Sequence, residues 1–186
     1  MPSSVAVIVG STRPGRIAGN VAEWVHRVAS KRPEVEYEVV DLAEWNLPLY
    51  DEEIPAAVGQ YAGEHTRRWA EKIASFDGFV VVTPEYNHAP SAAVKNAFDF
   101  VYAEWRDKAI GFVSYGGAGG VRAVEQLKLV AVEVGLAPVS AQLALPIAAD
   151  FPGYPAFTPQ PSREDELTRV LDQVESWSQA LATVRA

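Results

Sequence analysis

The sequence predicts an α/β protein built on a parallel β-sheet with helices on both faces. Five short apolar segments of strand character alternate along the 186 residues with segments whose apolar residues recur at helical spacing. The run at 79–83 does not alternate with polar residues, which is typical of a strand covered on both faces. Because such strands run parallel, their carboxyl ends should share one edge of the sheet, where ligands of this fold class bind.

The first half of the chain supplies three of the predicted strands. β-branched residues predict strands at 5–9 and 36–42, and the buried run at 79–83 is the third. Apolar residues at helical spacing within 17–28 and 61–76 predict the helices that connect them.

The second half predicts two further strands, at 108–115 and 138–145. They are separated by a helix whose apolar stripe lies at 124–134. Ser91 is placed to cap a helix ahead of the fourth strand, with an apolar stripe at 94–102.

Two segments are predicted to be irregular. Residues 44–60 contain two prolines and a glycine, and residues 151–161 contain four prolines. Ser162 then begins the last helix, since acidic residues in its first turn suit the positive end of the helix dipole. With no internal repeat and no linker, residues 1–186 are predicted to form one domain.

Composition narrows the possible functions. A net charge of −8 argues against general binding to nucleic acid or to an anionic membrane. The absence of cysteine excludes disulfides, thiolate nucleophiles and cysteine-based metal centres, and the acids at 51–53 are expected to be a solvated loop rather than a metal site. No secretory signal and no apolar run of about 18 residues is visible, so a soluble cytoplasmic protein is expected.

The loop at 10–16 has the composition of an anion site. Ser11 and Thr12 can donate hydrogen bonds from their hydroxyls. Arg13 and Arg16 can each bind two phosphate oxygens, and no acidic residue precedes position 23 to cancel their charge. The helix that follows would point its free N–H groups at the same place.

This loop does not match the two common nucleotide fingerprints. In the triphosphate loop pattern, Arg16 replaces the lysine and Ile17 replaces the residue that would hold magnesium. The dinucleotide pattern fails because Gly10 is not followed by a second glycine two residues later. A site for one terminal phosphate remains, and a solvated surface turn with incidental arginines stays open as the alternative.

Two further loops follow the third and fourth strands. In the loop at 84–90, Tyr86 offers a stacking surface and Asn87 an amide for a planar ligand, although both are also common in ordinary turns. In the loop at 114–120, glycines allow the backbone to approach a flat ring, although a flexible turn would look the same. It stays open whether His88 contacts a ligand.

Three motifs carry a resemblance to a known family. They are G-S-T-R-P-G-R at 10–16, P-E-Y-N at 84–87 with P-S-A-A-V-K-N-A-F-D at 90–99, and S-Y-G-G-A-G-G at 114–120. Together they resemble the NADPH-dependent FMN reductase family, over roughly residues 5–145. The resemblance implies a flavodoxin-like three-layer sandwich with a five-stranded parallel sheet in the order 2-1-3-4-5.

The resemblance also implies the cofactor-binding residues. The FMN phosphate would be bound by Ser11, Arg13 and Arg16 with the backbone at Ile17 and Ala18. The ribityl chain and isoalloxazine ring would be lined by Pro84, Glu85, Tyr86 and Asn87. The pyrimidine side of the ring would contact Ser114, Tyr115, Gly116 and Gly117.

The activity implied is that of an oxidoreductase in which the flavin, rather than a protein residue, carries the chemistry. FMN would take a hydride from NADPH or NADH and pass electrons to a quinone, azo compound or free flavin by a ping-pong mechanism. The alternative is a flavodoxin-type electron carrier with little NAD(P)H activity. Tyr86 is the only aromatic in its loop, which favours an open ring face, although Tyr115 could cover an edge.

The family commonly forms dimers and tetramers, and the sequence adds a reason to expect either here. Residues 44–60 and the helix at 94–105 offer more apolar surface than one small domain readily covers. A homodimer or homotetramer with the flavin site near the interface is therefore expected. Lys95 and Asp99 stand four residues apart and are expected to form an ion pair on that helix.

Overall fold

A computed structural model describes residues 3–185, which form a five-stranded parallel sheet in the order β2-β1-β3-β4-β5. The predicted strand order is therefore confirmed. The strands are β1 (Ser3–Val9), β2 (Val35–Asp41), β3 (Gly78–Pro84), β4 (Ala109–Gly116) and β5 (Ala137–Pro146).

Helices follow the strands as predicted, with two short additions, α2 and α6. The helices are α1 (Ala18–Ala29), α2 (Leu42–Trp45), α3 (Glu64–Ala74), α4 (Ala92–Asp99), α5 (Val121–Glu133), α6 (Ile147–Asp150) and α7 (Arg163–Arg185). Two 3₁₀ turns lie at Ala56–Val58 and Ala103–Trp105. None of the helices in residues 3–185 is long and apolar enough to cross a bilayer.

Two predicted boundaries were wrong for local reasons. The second strand was expected to include Leu42, but Asp41 ends it because the Asp41 side chain accepts a hydrogen bond from the N–H of Ala43 and caps α2. The apolar stripe at 94–102 outlasts α4, which ends at Asp99. Phe100 and Val101 are fully buried although they lie beyond the helix, so their apolar character reflects burial rather than helical periodicity.

The core lies in two layers, one on each face of the sheet. Val7 and Val82 point to the face covered by α1 and α7, whereas Ile8 and Val81 point to the face covered by α3, α4 and α5. Every residue of β3 is buried, as predicted for the central strand. This arrangement is the expected flavodoxin-like three-layer sandwich.

Strand register brings the predicted loops together at the carboxyl edge of the sheet. Pro84 pairs with Tyr115, and the N–H of Glu85 donates to the carbonyl of Tyr115 at 3.1 Å, so the second and third loops are in contact. The N–H of Gly10 donates to the carbonyl of Val82 at 2.8 Å, which places the first loop beside them.

Candidate functional site

A cavity of about 240 Å³ lies where the three loops meet. Its lining includes predicted residues from all three: Arg13, Ile17, Pro84, Glu85, Tyr86, Tyr115, Gly116 and Gly117. Two residues that the sequence analysis did not single out, Ile147 and Tyr154, complete it. The remaining predicted residues, Ser11, Arg16, Ala18, Asn87 and Ser114, lie near this cavity in sequence or structure but do not line it.

The first loop and the helix start behind it bring hydrogen-bond donors to this edge. Ser11 is buried and shares a hydrogen bond of 2.9 Å with the hydroxyl of Tyr86. Helix α1 begins at Ala18 behind Ile17, with no side-chain cap from any residue in 3–185 and no acidic residue in its first turn. The N–H groups at this helix start are therefore available to an anion.

The two arginines of this loop have different partners. Arg13 is exposed and makes only long contacts, 3.4 Å to the carbonyl of Pro14, 3.5 Å to that of Gly15 and 3.4 Å to the hydroxyl of Tyr154. Among residues 3–185, no carboxylate lies within 4.0 Å of its guanidinium group. Hydrogen bonding to Tyr154 raises the pKa of Arg13 above its ordinary value, so the guanidinium stays charged.

Arg16, in contrast, pairs with the carboxylate of Asp41. The expectation that nothing cancels the arginines was therefore wrong for Arg16. Asp41 is 25 residues away in sequence, but it pairs with Val9 across the sheet and so stands beside the loop. The Asp41 charge offsets that of Arg16 and leaves Arg13 as the loop's available cation.

The second loop is a tight turn. Tyr86 and Ala89 exchange backbone hydrogen bonds of 2.8 and 3.0 Å, and both residues between them have positive φ, 51° at Asn87 and 68° at His88. Two consecutive positive φ values define a turn that asparagine tolerates well. Asn87 therefore sits at an exposed turn tip outside the cavity lining.

Glu85 fixes this loop to the start of α5. Its side chain is 5% exposed, forms an ion pair with the guanidinium of Arg122 and accepts the backbone N–H of Arg122 at 3.1 Å. The Arg122 guanidinium holds the pKa of Glu85 below its ordinary value. Arg122 also donates to Nε2 of His88 at 2.7 Å, and Gln126 donates to the His88 carbonyl at 2.6 Å. The His88 ring is thus hydrogen-bonded to α5. Arg122 holds the second loop in place, a role that spacing in the sequence did not predict.

The third loop supplies backbone and one buried ring. Ser114 is buried and its Oγ donates to the carbonyl of Gly119 at 2.7 Å, so it shapes the loop. Tyr115 is 6% exposed, and burial raises the pKa of its hydroxyl. Gly120 has a φ of 78°, and a Cβ there would come within 2.9 Å of the Tyr115 backbone, so the turn requires glycine. A Cβ at Gly117 would meet no described atom within 4 Å, which leaves this backbone open to a ligand.

Tyr154 comes from the segment at 151–161, which has no helix or strand in the described chain, as predicted. Its side chain is 56% exposed and lines the cavity beside Arg13. The cavity therefore has a second exposed aromatic besides Tyr86. A proline-rich segment far from the three motifs gives no periodic signal from which this position could be inferred.

These residues suit FMN. The uncapped start of α1 and the guanidinium of Arg13, which has no carboxylate partner among residues 3–185, match a terminal phosphate. The open backbone at Gly117 with the rings of Tyr86 and Tyr154 matches a flat ring system. Fold and site together define a flavodoxin-like protein with a phosphate-binding loop beside an aromatic-lined cavity.

Comparison with known proteins gives the family. Residues 3–150 match the NADPH-dependent FMN reductase family, and the chain belongs to that family. An NAD(P)H-dependent FMN reductase of Schizosaccharomyces pombe is 42% identical over 76% of this chain and 73% of its own length. A quinone reductase of Escherichia coli K12 is 35% identical over 52% of this chain and 49% of its own.

Solved structures show the same fold. The flavoenzyme NAD(P)H:acceptor oxidoreductase of Paracoccus denitrificans has a TM-score of 0.75 at 23% identity, over 96% of this chain and 98% of that one. The protein is accordingly an oxidoreductase that uses FMN and NAD(P)H.

Proposed function

We propose that the protein passes electrons from NAD(P)H, through FMN, to a quinone, azo compound or free flavin in a ping-pong sequence. FMN supplies the redox chemistry when bound, by accepting a hydride from the nicotinamide and returning electrons to the acceptor. The names of its relatives favour a reductase over the alternative of an electron carrier, and the quinone reductases among them support a quinone as one acceptor.

The observation that carries the proposal is the shape and polarity of the cavity. Arg13 and the start of α1 can bind phosphate, and Gly117, which lines the same cavity, has open backbone for the ring. No proton donor from the protein is required for hydride transfer to the flavin. The protein's part is to hold the ring and to leave one face accessible to donor and acceptor in turn.

Initial-rate kinetics test this proposal. With NADPH or NADH and a quinone both varied, the double-reciprocal plots should be parallel, as ping-pong kinetics require. FMN-loaded protein should also be bleached by NADPH or NADH under anaerobic conditions before any acceptor is added. Intersecting plots would contradict the ping-pong scheme, and flavin that stays oxidised would contradict the proposed reductase activity.

We also propose a homodimer or homotetramer that buries the surface formed by residues 44–60 and α4. Leu49 is 82% exposed and Val58 is 56% exposed on this surface, so both apolar side chains are available to be covered by a second copy. A cavity of about 420 Å³ lined by Leu49 and Thr12 links the surface to the first loop, which supports a flavin site near the interface. The expected ion pair of Lys95 with Asp99 is present at 2.7 Å on the exposed side of α4.

Light scattering at micromolar concentration checks the assembly. The expected mass is two or four times 20.2 kDa, and Leu49→Asp should shift it toward the monomer, because an interface does not readily bury an unpaired carboxylate. A wild-type protein that is monomeric under these conditions contradicts the proposal.

A further inference from the structure

The loop at 151–161 is irregular but firmly anchored at its base. Asp150 is fully buried, and its carboxylate accepts the backbone N–H of Gln160 at 3.1 Å and forms an ion pair with Arg163 at 3.0 Å. The carbonyl of Asp150 also accepts the N–H of Thr158 at 2.8 Å. Both ends of the loop are therefore tied to one residue.

Aromatic packing fixes the same base from the other side. Phe151 is buried, and Phe157 packs on it with ring centroids 5.0 Å apart and on Trp24 of α1 at 5.5 Å. Trp24 belongs to the helix whose start faces the phosphate loop. The loop is thus held against α1, while its tip, residues 153–156, remains exposed.

The tip places one aromatic residue over the phosphate loop. Tyr154 is 56% exposed, its hydroxyl accepts a hydrogen bond from Nη2 of Arg13 at 3.4 Å, and its ring lines the cavity with Tyr86 and Tyr115. The other two contacts of Arg13 are to carbonyls of its own loop. Through Tyr154, a segment distant in sequence therefore contacts the available cation of the site.

We propose that Tyr154 is a cofactor-positioning residue. Its hydroxyl holds the Arg13 guanidinium toward the position of the FMN phosphate, and its ring forms an outer wall of the flavin cavity. The two groups have separable consequences. The hydroxyl acts through Arg13 and so distinguishes FMN from riboflavin, which lacks the phosphate, whereas the ring contributes to the binding of both.

This inference rests on FMN binding and is independent of the acceptor and of the kinetic scheme proposed above. The test is therefore a titration of apoprotein with FMN and with riboflavin, in which the quenching of flavin fluorescence measures binding. If the protein binds FMN but fails to oxidise NAD(P)H, the proposed function is wrong, and the proposed role of Tyr154 can still be tested.

Tyr154→Phe should weaken FMN binding by about two- to tenfold, the range of one hydrogen bond, with riboflavin binding unchanged. Tyr154→Ala should weaken both ligands, because the ring is lost as well. In an Arg13→Ala background, Tyr154→Phe should have no further effect, since the hydroxyl then has no guanidinium to orient.

Tyr102→Phe is the matched control, because its hydroxyl donates to the carbonyl of Glu133 at 2.8 Å and takes no part in the cavity lining. It should leave both affinities unchanged. Circular dichroism and thermal melting of each variant confirm folding. The proposal is overturned if Tyr154→Phe leaves the ratio of FMN to riboflavin affinity unchanged, or if Tyr154→Ala leaves both affinities unchanged.

Discussion

The two edges of the sheet each hold a cavity, and they differ in how their charges are partnered. The cavity at the amino edge is the larger, about 860 Å³, and its charged walls include Arg32 and Asp77. There Arg32 pairs with Glu175 at 2.6 Å and with Asp172, and Asp77 pairs with Arg185 at 2.5 Å. The cavity where the three loops meet at the carboxyl edge is about 240 Å³ and contains Arg13, which has no carboxylate partner within residues 3–185.

By charge rather than by volume, the smaller cavity is the candidate cofactor site. At the amino edge, protein groups already neutralise one another, so a charged ligand would have to displace an ion pair. At the carboxyl edge, the guanidinium of Arg13 makes only long hydrogen bonds, and no described side chain caps the start of α1. We therefore expect substitutions at the carboxyl edge to change cofactor affinity, and those at the amino edge to change only stability.

The largest expected effect on FMN binding follows Arg13→Ala. Loss of a charge-assisted contact to the phosphate should cost about 1.5–3 kcal/mol, which is about 10- to 150-fold in Kd. Riboflavin affinity should stay the same. Fluorescence titration of the apoprotein with both flavins measures the two constants.

Two arginines serve as controls for that substitution. Arg27 is exposed on α1 away from the cavity, so Arg27→Ala should leave FMN affinity unchanged. Arg32→Gln removes the ion pairs of Arg32 with Asp172 and Glu175 at the amino edge and should lower stability without changing FMN affinity. If Arg32→Gln weakened FMN binding as much as Arg13→Ala, the contrast between the two edges would be lost.

A smaller effect, on the free energy of unfolding, is expected when a paired charge at the carboxyl edge is removed. Glu85→Gln retains an acceptor for the Arg122 N–H but loses the ion pair, and should lower the free energy of unfolding by about 1–2 kcal/mol at pH 7. The folded-state pKa of Glu85 lies below its ordinary value of 4.5 because of Arg122. Its stabilising contribution is therefore present above about pH 4.5 and is lost as the pH falls through the folded pKa.

Urea unfolding at a series of pH values from 7 down to 3 checks this. The difference between wild type and Glu85→Gln should narrow as the pH falls below about 4.5. Glu125→Gln, on the exposed side of the same helix α5, is the control and should show almost no difference at any pH. A difference for Glu85→Gln that did not depend on pH would contradict the assigned ion pair.

The smallest expected effect separates the two arginines of the first loop. Asp41→Asn frees Arg16 while keeping an oxygen to accept the N–H of Ala43, and should tighten FMN binding by about two- to fivefold, the range of a weak, partly solvated ion pair. Arg16→Ala should weaken FMN binding less than Arg13→Ala. Equal losses for the two alanine variants would show that the Asp41 pair does not withhold Arg16 from the phosphate.

Much of this site could be predicted because its signals are local. Each of the loops at 10–16, 84–90 and 114–120 follows a strand, precedes a helix and is rich in glycine, hydroxyl, amide or charged groups, and parallel pairing must bring such loops to one edge. The N-cap at Ser91 was likewise predictable, and its side chain accepts the N–H of Val94. In these cases the chemistry and the geometry are encoded in the same few residues.

The residues that were missed are those whose partners lie far along the chain. The register of β2 on β1 places Asp41 beside Arg16, and the packing of α5 on the second loop places Arg122 beside Glu85. Tyr154 reaches Arg13 only because buried Asp150 and the packing around Phe151 fix an otherwise irregular loop. Tertiary contacts place these residues, and no periodicity or spacing in a single sequence predicts such contacts.

We expect the carboxyl edge of the sheet to hold FMN chiefly by its phosphate. Titration of the wild-type apoprotein with FMN and with riboflavin under identical conditions tests it most directly. We expect FMN to bind at least about tenfold more tightly than riboflavin, which corresponds to the lower end of one charge-assisted contact. Equal affinities for FMN and riboflavin would contradict it.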